Sequence, residues 1–200
     1  MQHACCMYAP SMMQIDAELR DATIAVLREH GWEGLTLERV AEASGRARST
    51  LWRQGLTLDA LVGTLVGRLV DDFQAAMFPI LTAEGSGGER LRRALDALCD
   101  VCDRHLHLML ANDEAFHQAP QPGHRPDYLG PFIVFIRQGA ADGSLAPGDD
   151  PVEAADAVFN ATAWPYVHFR GRHKWPADKA RRVVVDLVLN GIATQREERT

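Results

Sequence analysis

Residues 35–61 read LTLERVAEASGRARSTLWRQGLTLDAL, and the fold turns on how this stretch divides. Leu37 to Ala43 and Ala47 to Gln54 each have the length and composition of a short helix. Ser44-Gly45-Arg46 lies between them, and a long apolar pattern opens near Thr57. Gly45 suits a sharp reversal because glycine tolerates positive φ. Two short helices joined by a three- or four-residue turn containing glycine make a helix-turn-helix, whose second helix can enter a DNA major groove.

The charges agree with that reading. Arg46, Arg48 and Arg53 fall between Ala43 and Leu58 with no acid among them, although the chain as a whole carries 21 Lys+Arg against 27 Asp+Glu. A basic island on an acidic protein is the electrostatic footprint of an element that faces phosphates. Arginine can bond phosphate or the O6/N7 edge of guanine, and glutamine at Gln54 suits adenine. Ser49, Thr50 and Trp52 add donors between the arginines.

From His30 to Leu61 the sequence resembles the N-terminal domain of the TetR/AcrR family of bacterial transcriptional regulators. The resemblance is carried without a gap by His30-Gly31, Thr36, Val40-Ala41, Gly45 and Thr50-Leu51-Trp52-Arg53. It implies a regulator, in the usual case a repressor, that binds a palindromic operator in double-stranded DNA as a homodimer and is released by a small apolar ligand. It also implies DNA contacts from Thr36, Arg46, Arg48, Ser49, Thr50, Trp52, Arg53 and Gln54. Trp52 stands where relatives place a tyrosine whose hydroxyl meets a phosphate, and its indole N–H could donate one such bond. The chain departs from the pattern at Ala47, where a capping serine is common. It departs again at Gly55-Leu56, in place of Phe-Pro, and at Leu58, in place of a phosphate-binding lysine.

Outward from this stretch the sequence predicts helices throughout, about nine, and no convincing strand. Residues 1–12 are expected to form a disordered tail, 13–56 the helix-turn-helix domain, and 57–200 a helical domain for ligand binding and dimerisation. Met13 to His30 is expected to have a buried face at Leu19, Thr23, Val26, Leu27 and His30, on the 3.6-residue period. Gly31 stops that helix, and Thr36 is a good N-cap for the next. Thr57 to Pro79 is apolar on several faces, so it should lie between two packed layers. The glycine-rich 82–88 is expected to be a flexible loop. Helices are then expected over Glu89 to Leu110, Pro131 to Ala141, Pro151 to Arg170 and Pro176 to about Glu197. A proline-rich connector at 119–127 and a turn-rich loop at 139–151 separate them. Pro165 should kink the penultimate helix.

Phe73, Met77, Cys102, His105, Met109, Phe116, Phe132, Ile136, Phe159 and Trp164 are apolar or soft residues on different C-terminal helices. By the resemblance they are expected to line the ligand pocket, with His105 as a polar anchor if it is not a hydrogen-bonded core histidine. Val158, Val184, Leu187, Val188, Gly191 and Ile192 form a stripe on the last two helices that serves either a dimer interface or an internal core.

Other classes leave weaker traces. Cys99, Cys102, Asp103, His105, His107, Glu114 and His117 have metal-ligand chemistry. One helix offers at most two adjacent ligands from this set, so a metal-sensing repressor built on Cys102 and His105 remains an alternative and no metal or cofactor is assigned. A helical dimer acting through protein partners without DNA is a second alternative. Glu114-x-x-His117 is half of a di-iron motif with no second copy, and no phosphate-binding glycine loop or Gly-x-Ser-x-Gly elbow occurs. The chain is therefore expected not to be an enzyme. No apolar run reaches the ~18 residues of a membrane span. The N-terminus lacks a secretory pattern, and four cysteines at these spacings make no disulfide framework. A cytoplasmic protein without a membrane partner is the expectation.

Overall fold

The computed structural model describes residues 15–116 and 127–193, and side chains within those ranges except for 112–116. The expected tail, most of the proline-rich connector and the side chains of Glu114, Phe116 and His117 lie outside the described residues. Among the described residues there are nine α-helices and no strand, apart from an isolated antiparallel bridge between Leu145 and Ala193.

The helix-turn-helix forms from local signals. Asp16 accepts a hydrogen bond from the Leu19 N–H and starts α1 (Ala17–His30), later than the expected Met13. Thr36 accepts from the Arg39 N–H and starts α2 (Leu37–Ala43). At the turn Gly45 has φ +66°, the left-handed conformation that made glycine the right residue there. α3 (Arg48–Arg53) follows, and its N-cap Ala47 makes no side-chain cap bond. Thr57 caps α4 (Leu58–Leu81) through the Ala60 N–H.

The described residues bury two apolar cores. The first gathers Leu19, Val26 and Leu27 of α1, Val40 and Ala41 of α2, Leu51 of α3, and Leu61 and Leu65 of α4. The second gathers Phe73 and Met77 from further along α4 with residues of later helices. A single helix thus supplies both cores, which explains why its sequence is apolar on several faces. Leu56, in the turn before α4, is 4% exposed and packs in the first core, whereas His30, expected on the buried face of α1, is exposed.

Further boundaries differ from the sequence expectation. The glycine-rich loop is shorter than 82–88, because Ser86 and Glu89 close a capping box that starts α5 (Gly87–Arg104). Gly87 and Gly139 then let α5 and α7 (Gly130–Asp142) touch at the backbone, since a Cβ on Gly87 would collide with the Gly139 nitrogen. The helix expected over Glu89 to Leu110 breaks at His105, whose φ and ψ are −111° and 20°, and α6 (Leu106–Phe116) begins after it. The break puts α6 against α1 as well as α8 (Pro151–Gly171), and Leu108 and Ala111 join the first core. Finally, α9 (Ala177–Ile192) ends where Ala193 turns extended and the Ile192 carbonyl accepts from the Ala146 N–H. Pro165 lies within α8, which continues through it to Gly171.

Candidate nucleic-acid interface

α3 buries one residue completely, Leu51, and turns the rest of its surface outward. Arg48, Ser49, Trp52, Arg53 and Gln54 are exposed, while Thr50 is half-buried. Trp52 is 75% exposed. Arg48, Ser49, Trp52 and Arg53 occupy positions i, i+1, i+4 and i+5, so they share one helix face. A large aromatic left in water between two arginines has little packing role in this protomer.

Each arginine has an internal partner. Arg48 bridges to Glu38 of α2 at 2.7 Å, with side chains 68% and 52% exposed. A pair this exposed contributes about 0–1 kcal/mol, so a phosphate can displace the carboxylate. Arg53 folds back along its own helix, Nε donating to the Ser49 carbonyl at 3.3 Å and a terminal nitrogen to Thr50 Oγ1 at 3.5 Å. Arg46 is held more firmly than its fellows. Its guanidinium meets Asp16 at 2.8 Å and Glu18 at 2.9 Å, tying the turn to the start of α1. The Leu19 N–H and then Arg46 hold the Asp16 carboxyl below its ordinary value. Glu18 and then Asp16 raise the Arg46 guanidinium in return. Thr36, half-buried at the α2 cap, is engaged by the Arg39 N–H at 3.3 Å. Spacing along the chain could not reveal these acids opposite the arginines, because Asp16 and Glu18 lie far upstream of the turn.

The residues expected to line a ligand pocket converge on the second core. Phe73, Met77, Cys102, Phe132 and Ile136 are buried there, and Met109 and Phe159 pack against it. Phe73, Phe132 and Phe159 cluster with Tyr128, which sequence reasoning missed. Tyr128 lies 5.1 Å from Phe73 and 6.1 Å from Phe159, ring centre to ring centre. Trp164 is half-buried. The Phe116 side chain lies outside the described residues. His105 takes the hydrogen-bonded role, with Nε2 2.9 Å from Asp72 Oδ2 on α4.

Asp103, read from the sequence only as a candidate metal ligand, accepts from the Tyr166 hydroxyl at 2.5 Å and from Arg170 Nε at 2.6 Å. Arg170 donates in turn to the Trp175 carbonyl, locking the α8–α9 connection to α5. Burial pushes the Cys99 thiol up to about 12 and raises the Cys102 thiol as well. Among the described residues no three His, Cys, Asp or Glu side chains gather as a metal would require; Glu114 and His117, which a site on Cys102 and His105 would need, lie outside them. The stripe on the last two helices divides. Val158, Val184 and Ile192 are buried within the protomer, Val188 is half-buried, and Leu187 and Gly191 are exposed, Leu187 at 73%.

No helix among the described residues is long and apolar enough to cross a membrane. No family model matches the chain, and no curated protein matches it in sequence. Solved structures do match its fold. The ketosteroid transcriptional regulator KstR2 of Mycobacterium tuberculosis superposes with TM-score 0.73 at 22% identity, over 91% of this chain and 98% of that one. The TetR-family transcriptional regulator PfmR from Thermus thermophilus gives 0.71 at 19%, over 90% and 100%. A regulator of the TetR/AcrR family from Thermobifida fusca gives 0.67 at 21%, over 90% and 97%. The chain has the all-α fold of TetR-family transcriptional regulators.

Proposed function

We propose that this chain is a DNA-binding transcriptional regulator of the TetR type that works as a homodimer. The observation that carries the reading is the outward face of α3, where Arg48, Ser49, Trp52 and Arg53 stand clear of the protomer around the anchor Leu51. Residues 13–56 serve as the DNA-binding domain. Arg48 and Arg53 give up their internal partners to phosphates or guanine edges, Trp52 donates its indole N–H to a phosphate, and Gln54 and Ser49 reach base edges. Arg46, already neutralised by two carboxylates, acts chiefly by positioning the turn.

One such helix reads one half-site, so a palindrome requires two, set about one helical turn (~34 Å) apart. Residues 57–200 provide the pairing surface and the ligand site. Val183 and Leu187, both exposed, and Gly191 follow one another at i, i+4 and i+8 on α9, and the second copy covers that outer stripe. A small apolar molecule enters the aromatic cluster of Phe73, Phe132 and Phe159 beside His105 and Met109. Because α4 belongs to both cores, repacking around Phe73 and Met77 moves the end that carries Leu61 and Leu65. The ligand releases DNA to the extent that it favours the altered arrangement. The site of action is the cytoplasm and the role is repression.

Selection of bound fragments from the source genome tests this reading. Recovery of a small set of sequences sharing an inverted repeat is the expected result. Absence of enrichment over bulk DNA at moderate salt would overturn it.

A further inference from the structure

A cleft of about 450 Å³ opens where α1, α6 and the end of α8 meet. None of its lining residues belongs to the aromatic cluster. Arg28 and His30 come from the last turn of α1, His107 from α6, and Arg172 and Lys174 from the turn after α8, against the single carboxylate of Glu33. On a chain of net charge −6 this is an unusual concentration of cations. Among the described residues none of Arg28, Arg172 and Lys174 is in an ion pair, whereas Arg46, Arg48, Arg92, Arg170 and Arg181 each meet a carboxylate. His30 has only a distant partner, Glu29 at 3.9 Å.

The cleft is built on firm packing. Its floor is the crossing of α6 and α8, where a Cβ on Gly171 would collide with a Leu110 methyl. Lys174 has φ +55°, the one left-handed non-glycine among the described residues, a conformation costly to an L side chain and retained where surrounding structure demands it. Arg28 on the last turn of α1, with Arg172 and Lys174 in the turn after α8, lines one cleft between elements of different cores, a setting for a multiply charged anion. Guanidinium groups match the oxygen geometry of phosphate, and hydrogen bonds between two ionised groups are the strong ones.

We infer that this cleft is a binding site for a small organic phosphate, held by Arg28, Arg172 and Lys174, that clamps α1 to α6 and α8. The apolar walls, Leu27, Trp32 and Leu110, accept the carbon skeleton. The site is separate from the aromatic cluster, and the inference does not rest on DNA binding. His107 reports on occupancy. Burial, then Arg28 and Lys174, now hold its imidazole below 6.5, and a bound anion offsets the two cations, so saturation moves its titration upward.

Calorimetric titration of the full-length protein with inorganic pyrophosphate, at fixed ionic strength and without DNA, tests the inference, with His107 followed by NMR. The expected result is one saturable site per protomer. Arg28→Gln with Arg172→Gln should weaken it about tenfold or more, since charge-assisted hydrogen bonds are lost. Arg182→Gln, on the far α9 surface, should leave it unchanged. Lys174→Gly removes the backbone strain with the charge, so it should fold at least as well and still bind more weakly. No saturable binding, equal loss in Arg182→Gln, full affinity in Lys174→Gly, or an unmoved His107 titration would overturn the proposal.

Discussion

Arg48 and Glu38 hold each other at 2.7 Å across the corner between α2 and α3, and on the proposed function that contact competes with DNA. Glu38→Gln should therefore tighten operator binding. Arg48→Ala should weaken it and flatten the dependence of log affinity on log salt by about 0.9, one phosphate's worth. Anisotropy titrations across a salt series check both, and an unchanged slope in Arg48→Ala would count against the assignment. Asp16 makes a different prediction. Its folded-state titration lies below its ordinary 3.8, so its contribution to stability is complete above that value and fades as pH falls through the folded one. Asp16→Asn should remove part of the loss of stability seen below about pH 4 in acid-unfolding curves. The arginines were legible in the sequence because they form a local island. Their acidic partners were not, because pairing with the distant start of α1 depends on how that helix crosses the turn, which no local pattern encodes.

Among the elements, the crossing of α5 over α7 is the least forgiving. Gly87→Ala drives a methyl group into backbone at Gly139 and should cost about 1–3 kcal/mol, the usual penalty for overpacking. Denaturant melts with an unchanged m-value would measure it, and a neutral result would mean the helices can separate. A similar loss, about 2 kcal/mol, is expected for Asp103→Ala, which strands Tyr166 and Arg170. Helix starts were well marked in the sequence where caps existed, at Thr36 and Thr57, and the Ser86/Glu89 box was equally readable but lay hidden in a run of glycines. The break at His105 had no such mark. Its cause is tertiary, the imidazole bonding Asp72 on α4 while Leu108 and Ala111 turn into the first core. Period counting treats a helix as continuous until a breaker appears, so it ran through to Leu110.

At the scale of the whole molecule, α4 is what makes two cores one machine, with Leu61 and Leu65 in the first and Phe73 and Met77 in the second. Its all-round apolarity announced that role in the sequence. The stripe proposed for pairing was less legible: Val184 and Leu187 are both apolar at helical spacing, yet one is buried in the protomer and the other bare, and only the packing of α9 on α8 and α5 tells them apart. Leu187→Glu should hold the chain as a monomer in sedimentation equilibrium and lose high-affinity DNA binding while leaving the protomer folded. Hydroxyl-radical footprinting of the selected DNA tests the central claim most directly, that α3 reads DNA twice per assembly. The account predicts two protected patches about one helical turn, ~34 Å, apart, both absent with Arg48→Ala. A single patch, or protection that Arg48→Ala leaves intact, would contradict it.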